Sequence, residues 1–183
     1  MIASERTQNV IISVTIIAAL LSSVFLVSNA VYFGGSYALA GGLEVTIQET
    51  IVSNVDPTNE TVYPHLSFTF NFFSDTDIEG NVRIMFMGAQ ITLNDDLLSY
   101  TSFAYTLPES LQPLFPNYNR NFTLAKTTGA TWDRDTVNLA YNSDTWHWQI
   151  VFRFRFITFD EPNTITWRYI NFDYTGNTTI RLA

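Results

Sequence analysis

Cysteine is absent from the 183-residue sequence. Its absence excludes disulfide bonds, thiol catalysis, iron–sulfur clusters, blue copper centres and zinc sites with cysteine ligands. Because no disulfide is available, the fold must be held together by its hydrophobic core. Hydrophobic residues make up 46% of the chain and aromatic residues 15%, which is enough for a substantial core.

Basic residues are also scarce. Lys126 is the only lysine, and the formal net charge is −8. Proteins that bind nucleic acid neutralise its phosphates with clustered Lys and Arg side chains. No such cluster exists in this sequence, so we expect no nucleic-acid partner.

Signatures of common catalytic sites are missing as well. The sequence has no Gly-x-Ser-x-Gly, no phosphate-binding glycine loop and no His-Glu-x-x-His. His65 and His147 begin predicted strands on the polar side, and no carboxylate lies within an apolar run that would raise its pKa. The sequence therefore predicts a non-enzymatic protein with no catalytic residue and no cofactor, apart from one calcium candidate.

The stretch from Val10 to Phe33 carries no charge. A helix needs about 20 apolar residues to cross a bilayer, so residues 10–33 are predicted to span a membrane. The competing interpretation is a cleaved signal peptide, but the apolar run exceeds the usual 7–15 residues of a signal core. Arg6 precedes the run and no basic residue follows before Arg83, which favours a cytoplasmic N-terminus and an extracytoplasmic C-terminal domain.

Small and polar residues within this helix predict a packing face. Polar side chains recur every seven residues, and small residues pair at a spacing of four, which permits close helix approach and interhelical hydrogen bonds in lipid. The alternative is that the Ser and Thr hydroxyls bond to carbonyls of their own helix. The face, for a partner helix or for copies of the same chain, comprises Thr15, Ala18, Ala19, Ser22, Ser23 and Asn29.

Residues 34–42, "GGSYALAGG", include four glycines and predict a short flexible joint. Beyond it, "HLSFTFNFF" and "WHWQIVFRFRF" alternate large apolar with polar residues, as half-buried strands do. A turn at Glu161–Asn163 predicts a hairpin whose second strand is Thr164–Tyr174. Weaker strand candidates are Tyr100–Tyr105 and Val137–Tyr141, and a short helical turn is expected in "LPESLQPLF".

About eight such strands, with no helix-period segment after the span, predict an all-β domain. The expected fold is an antiparallel β-sandwich, Ig-like or jelly-roll, preceded by a single N-terminal transmembrane α-helix. The predicted organisation is a cytoplasmic tail (1–9), a transmembrane helix (10–33), a glycine-rich linker (34–42) and an extracytoplasmic β-sandwich domain (43–183).

Two sets of side chains are candidate binding residues. Arg153, Arg155 and Arg168 are expected to share one polar sheet face, where they would hold a carboxylate, a sulfated sugar or an acidic partner. The alternative is that they pair with Asp and Glu of neighbouring strands. Trp132 lies in the loop-like "TTGATWDRD", where an aromatic ring stacks on a sugar, anchors a protein contact or folds back over the domain.

The stretch "DTDIEG" presents the alternate carboxylates of Asp75, Asp77 and Glu79, followed by a glycine. Hard cations such as calcium prefer oxygen ligands in this pattern. The twelfth position of an EF-hand loop would be Phe86, so that motif is excluded, and a simpler calcium clip or an acidic strand connection remains. Three glycosylation sequons, about the number expected by chance, fit an exported protein; they begin at Asn59, Asn121 and Asn177.

These observations favour a membrane-anchored protein of the cell envelope whose external domain is a structural or interaction module. Its partners are expected to be the membrane and other envelope proteins, or copies of itself. The layout of helix and sandwich resembles that of archaeal pilus-type and archaellum-associated proteins, although no motif is shared, which implies a filament subunit as the alternative. A carbohydrate-binding or hydrolytic surface domain is the third hypothesis.

Overall fold

The computed structural model describes residues 2–99 and 103–182 of the chain. A long N-terminal helix is followed by two sheets of mostly antiparallel strands and a second helix. We call residues 43–182 the β-domain. The elements in chain order are α1 (Ile2–Gly41), β1 (Glu44–Val55), β2 (His65–Phe73), β3 (Val82–Leu93), β4 (Asp96–Leu97), β5 (Phe103–Thr106), β6 (Asn119–Thr127), α2 (Thr131–Ser143), β7 (His147–Thr158), β8 (Thr166–Thr175) and β9 (Thr178–Leu182).

Helix α1 runs without a break through the charge-free stretch and beyond it. Its 40 residues measure about 60 Å at 1.5 Å per residue. Within residues 2–99 and 103–182 it is the one helix long and apolar enough to cross a membrane, and its apolar window is not buried against the rest of the chain. The predicted span therefore lies on a helix whose surface is available to lipid.

The predicted flexible joint at 34–42 is wrong, because α1 continues to Gly41. Glycine in a helix costs about 1 kcal/mol relative to alanine, but here tertiary packing offsets that cost. Leu39 is fully buried and Ala40 is 8% exposed, and both belong to the same hydrophobic core as the strands. The last turns of α1 are thus built into the β-domain.

The β-domain has two sheets, with strand orders β6-β2-β1-β9 and β4-β3-β7-β8, and β5 also pairs with β3. Neighbouring strands are antiparallel except β1 and β9, which run parallel. The predicted hairpin is confirmed: β7 and β8 pair antiparallel, with Phe156 opposite Thr166. A short 3-10 turn at Pro162–Thr164 joins them.

The core lies between the two sheets and is rich in aromatic rings. Phe70 of β2 stacks on Phe152 of β7, with ring centroids 4.3 Å apart, and Phe68 meets Trp148 edge to face at 5.2 Å. The large apolar residues that alternate along β7 are buried, as the sequence predicts. Each of these side chains stabilises the fold by about 2–3 kcal/mol through burial. The alternation in "WHWQIVFRFRF" is therefore a core pattern.

Helix α2 contradicts two predictions, because it covers residues 131–135 of the loop-like "TTGATWDRD" and the whole of the weak strand at Val137–Tyr141. Val137 and Ala140, three residues apart on one helix face, are buried. The buried carboxylate of Asp133 accepts a hydrogen bond from the backbone N–H of Ser99, at 2.9 Å. These contacts hold the helix, so the all-β class is wrong and the fold is mixed helix and sheet.

Two further sequence predictions concern a short helical turn and a weak strand. The predicted helical turn in "LPESLQPLF" is confirmed as a 3-10 turn at Glu109–Leu111. Of the candidate strand Tyr100–Tyr105, the residues 100–102 lie outside the described residues, and β5 begins at Phe103.

Tyr118 provides a test of the core. Its side chain is fully buried, and its hydroxyl has no hydrogen-bond partner among residues 2–99 and 103–182. Burial raises the pKa of Tyr118 to about 12, above the ordinary value of 10.0. Its stabilising contribution is therefore complete below pH 10 and is lost as the pH rises toward 12, because the unfolded chain ionises first.

We expect Tyr118→Phe to weaken this alkaline loss of stability and to leave the protein at least as stable at neutral pH. Removal of an unsatisfied buried hydroxyl eliminates a desolvation penalty of about 1–3 kcal/mol. The measurement is urea unfolding of the detergent-solubilised chain at neutral pH and across the alkaline range. Tyr174, whose pKa is also raised by burial, accounts for part of the remaining slope. Identical alkaline slopes for the variant and the wild type would contradict the assignment.

Candidate functional site

The face of the second sheet that points away from the core carries the predicted arginine pair. Arg153 and Arg155 alternate with the buried Phe152 and Phe154 along β7, so their side chains lie on the opposite face. Strand pairing places Arg155 between Phe86 and Trp167, and Arg153 between Gly88 and Tyr169. We call this surface the outer face; it comprises Phe86, Gly88, Val151, Arg153, Arg155, Trp167 and Tyr169.

Both arginines of the outer face lie over the same indole ring. The guanidinium carbon of Arg153 is 5.7 Å from the centroid of Trp167, and that of Arg155 is 5.8 Å away. Phe86 meets Trp167 edge to face at 5.8 Å. Cation–π contacts of this kind fix the position of a guanidinium but leave its N–H groups able to donate. Trp167 itself is 40% exposed.

These two arginines have no acidic partner among the described residues. The ion pairs in that part of the chain are Arg83–Asp160, Arg134–Asp135 and His147–Asp173. The Nε of Arg155 is buried, and no group in the described part of the chain forms a hydrogen bond with it. The alternative prediction, that this pair is neutralised by neighbouring carboxylates, is therefore wrong for the described structure. The outer face presents two uncompensated positive charges on a protein of net charge −8.

A groove crosses the outer face where its side chains are small. Gly88 and Ala104 lie on adjacent strands, and a Cβ at Gly88 would lie 3.2 Å from the carbonyl oxygen of Phe103. The resulting open cavity, of about 550 Å³, is bordered by Arg153 and Tyr169. Tyr169 is 64% exposed. The surface thus combines exposed aromatic rings, a concave floor and positive charge, which are features of binding surfaces.

Arg168 does not join the other two arginines, and the prediction that it shares their face is wrong. It lies opposite Phe154 in the register of β8 with β7, on the inward side, with its guanidinium carbon 5.7 Å from the Phe154 ring centroid. Its Nη1 donates hydrogen bonds to the carbonyl oxygens of Ala40, at 3.1 Å, and Leu43, at 2.9 Å. Arg168 therefore caps the end of α1, where helix carbonyls lack partners and a cation is favourable.

A second cluster fixes α1 to the β-domain. The backbone of α1 at Gly35 lies against the loop before β3, so closely that a Cβ on Gly35 would be 2.0 Å from the carbonyl oxygen of Glu79. A Cβ on Gly80 would be 2.5 Å from the backbone nitrogen of Ser36. The hydroxyl of Ser36 accepts a hydrogen bond from the backbone N–H of Asn81, at 2.8 Å. We call this set of contacts, together with those of Arg168, the junction.

Aromatic rings surround the junction on its outer side. Phe159, just after β7, packs against Phe33 with centroids 4.5 Å apart, and against Tyr32 and Tyr37 at 6.2 and 6.1 Å. Phe159 and Asp160 both have positive φ angles, of 58° and 54°. Aromatic side chains are enriched where membrane helices meet water, and this cluster lies at the end of the predicted span.

The predicted calcium site is not supported. Among the described residues, no three or more His, Asp or Glu side chains group as metal ligands would, and Asp75, Asp77 and Glu79 form no such group. The "DTDIEG" loop instead packs its backbone against α1 through Glu79 and Gly80. Gly80 allows the backbone of this loop to lie close to the backbone of α1 at Ser36.

The remaining candidate residues lie apart from the outer face. Trp132 is on α2 and is 61% exposed. The sequon residues Asn59, Asn121 and Asn177 are exposed, and their glycosylation stays a prediction.

The predicted packing face on α1 is exposed along its whole length. The hydroxyl of Thr15 donates to the carbonyl of Ile11, at 2.9 Å, and that of Ser23 donates to Ala19, at 2.8 Å. These two residues therefore follow the alternative, in which the helix satisfies its own hydroxyls. Ala18, Ser22 and Asn29 line one shallow groove on α1, and helix association through it stays a prediction.

No family model matches the chain, and no curated protein is similar to it in sequence. Among solved structures, a Bordetella pertussis protein described as ApaA is similar over 74% of this chain and 93% of its own, at 9% identity and a TM-score of 0.46. A protein from Archaeoglobus fulgidus is similar over 75% of this chain and 95% of its own, at 6% identity and a TM-score of 0.44. These likenesses assign neither a family nor a function.

Proposed function

We propose that this chain is a single-pass membrane protein of the cell envelope, and that its β-domain is a non-enzymatic interaction module with a sandwich fold. Helix α1 supports the anchor, because its apolar surface has no partner within the described chain and is long enough to cross a bilayer. The outer face supports the interaction module, since it combines exposed aromatic rings with uncompensated arginines.

The junction is the observation that carries this proposal. A flexible tether would leave the β-domain free to rotate above the membrane. Here the last turns of α1 are part of the core, and Arg168 and Ser36 bond across the boundary. The orientation of the helix in the bilayer therefore sets the direction in which the outer face points. A fixed orientation of this kind supports the presentation of the outer face to a membrane-bound partner.

The absence of cysteine allows a direct test of the topology. We expect a membrane-impermeant maleimide to label Leu139→Cys, at an exposed position on α2, in intact cells. Ser4→Cys, ahead of the span, should be labelled only after the cells are permeabilised. Both variants should stay with the membrane pellet after alkaline carbonate extraction. Release of the protein by carbonate would contradict the anchor, and labelling of Ser4→Cys in intact cells would contradict the orientation.

A further inference from the structure

We infer that the free edge of β8, with the outer face beside it, binds an extended segment of a partner protein in which acidic and apolar residues alternate. The segment pairs with β8 as an added strand of the second sheet. This inference rests on the proposed function, since it names the partner of the proposed interaction module. It is carried by three independent features: the unpaired backbone of β8, the position of the arginines and the cavities beneath the edge.

The backbone of β8 supplies the pairing surface. Within the described strands, β8 is the last in its sheet and pairs only with β7. Its 10 residues leave one row of N–H and C=O groups without a strand partner. An exposed edge of this length is a template for strand addition, because the main-chain hydrogen bonds provide affinity to any extended segment. Side-chain contacts then decide which segment binds.

The arginines favour acidic side chains on one face of the added strand. Arg153 and Arg155 originate on β7, but their guanidinium groups lie over Trp167 of β8, so they already reach toward the free edge. A strand added there lies about 4.8 Å beyond β8. Glutamate or aspartate side chains on its outward face come within reach of the two guanidinium groups, and bidentate arginine–carboxylate pairing is the strong form of this contact.

Cavities beneath the edge favour apolar side chains on the other face of the added strand. Strand β9 pairs with β1 only from Thr50 onward, so the first half of β1 leaves a seam opposite β8. Ile47, Phe172 and Tyr174 line this seam beside polar residues that include Glu49 and Asp173, and its open volume is about 350 Å³. A second cavity of about 490 Å³ lies along the same side near Arg168 and is lined by Ala40 and Phe156. Inward side chains of the added strand, at alternate positions, enter these two cavities.

The three features together exclude simpler occupants. A basic segment would place like charges beside Arg153 and Arg155, which is unfavourable. An anionic polysaccharide would satisfy the arginines but would leave the backbone edge unpaired, and the carboxylates of Glu49 and Asp173 would repel it from the seam. A second copy of the chain that paired through its own β8 would bring two arginine pairs together. The alternating acidic and apolar segment uses the edge, the charge and the cavities at once.

The experiment uses the full chain in detergent micelles and a capped synthetic peptide of alternating Glu and Val, 10 residues long to match β8. We expect fluorescence anisotropy to show binding of this peptide and none of a Lys/Val counterpart. The double variant R153Q/R155Q should bind at least about tenfold more weakly. Arg181→Gln is the matched control, since it removes an exposed arginine from β9 in the other sheet and should leave binding within about twofold.

Two N-methylated peptides test the strand pairing without any change to the protein. Each carries N-methyl groups on one of the two sets of alternate residues, and the set that faces β8 should abolish binding while the other does not. Equal binding of both N-methylated peptides, or equal binding by R153Q/R155Q, would overturn the inference. Tighter binding of a heparin fragment than of the Glu/Val peptide would also overturn the inference if Phe172→Ala, in the seam, left the heparin binding unchanged. The face would then recognise a glycan. None of these outcomes affects the maleimide labelling, so the two proposals fail separately.

Discussion

The substitution Gly35→Val is expected to break the junction. The added Cβ would lie 2.0 Å from the carbonyl oxygen of Glu79 and 2.7 Å from a methyl carbon of Ile78. The first of these atoms belongs to the backbone, so a rotamer change cannot relieve the clash, and the helix must move away from the loop. Displacement of α1 also weakens the bond from Asn81 to Ser36. We expect Gly35→Val to destabilise the β-domain by about 3 kcal/mol or more.

The chain supplies a matched control for this prediction. A Cβ at Gly34 would have no neighbour within 4 Å. Gly34→Ala therefore introduces a side chain one residue away, in the same helix, without a clash, and should be neutral or slightly stabilising because alanine favours the helix by up to about 1 kcal/mol. Thermal unfolding of the detergent-solubilised protein, followed by near-ultraviolet circular dichroism, compares the three chains. Equal midpoints for Gly35→Val and Gly34→Ala would contradict the close approach of helix and loop.

The glycines at 34–42 show where sequence reasoning reaches its limit. Local propensity correctly identifies glycine as unfavourable in a helix, but a close contact between two backbones requires the same residue. The two roles cannot be told apart until the partner loop is known. That partner, Gly80, lies in "DTDIEG", where the same ambiguity suggested a cation loop. Gly35 is required because the loop at Gly80 lies against it, and Gly80 is required because α1 lies against it. Neither requirement can be deduced from the residues next to each glycine in the sequence.

The strands were more predictable because their alternation has a single physical cause. Burial of one face gives a period of two, so β2, β7 and β8 follow from the sequence. Helix α2 does not, since "TTGATWDRDTVNLAYNS" has few apolar residues and its position depends on Asp133 and Val137 meeting distant groups. Propensity is a weak guide in such a segment, because tertiary contacts decide it.

The outer face could be predicted in part. The alternation of β7 assigns Arg153 and Arg155 to the polar side, and the structure confirms it. The same alternation in "TWRYINF" places Trp167 and Tyr169 on one face and Arg168 on the other. This pattern indicates that Arg168 lies apart from Trp167, contrary to the prediction that it shares the polar face. What no pattern supplies is the register between β7 and β8, which brings both guanidinium groups over one indole.

The junction also determines where a soluble fragment must begin. We expect a fragment that starts at Gly42 to be less stable than one that starts at Gly34 by about 3 kcal/mol or more. The shorter fragment lacks the fully buried Leu39, and removal of a buried leucine side chain alone costs about 2–5 kcal/mol. It also lacks the Ala40 carbonyl, which accepts a hydrogen bond from Arg168 at 3.1 Å.

Urea unfolding of the two fragments, measured under the same conditions, gives the difference in the free energy of unfolding. Leu39→Ala in the longer fragment should fall between the two, because it removes the apolar contact and keeps the helix carbonyl and the Ser36 hydroxyl. Ala38→Ser, at a position in the same turn whose side chain is only partly buried, controls for substitution in this segment. If the fragment from Gly42 were as stable as the longer one, α1 would not be part of the core, and the fixed orientation on which the proposed function depends would be lost.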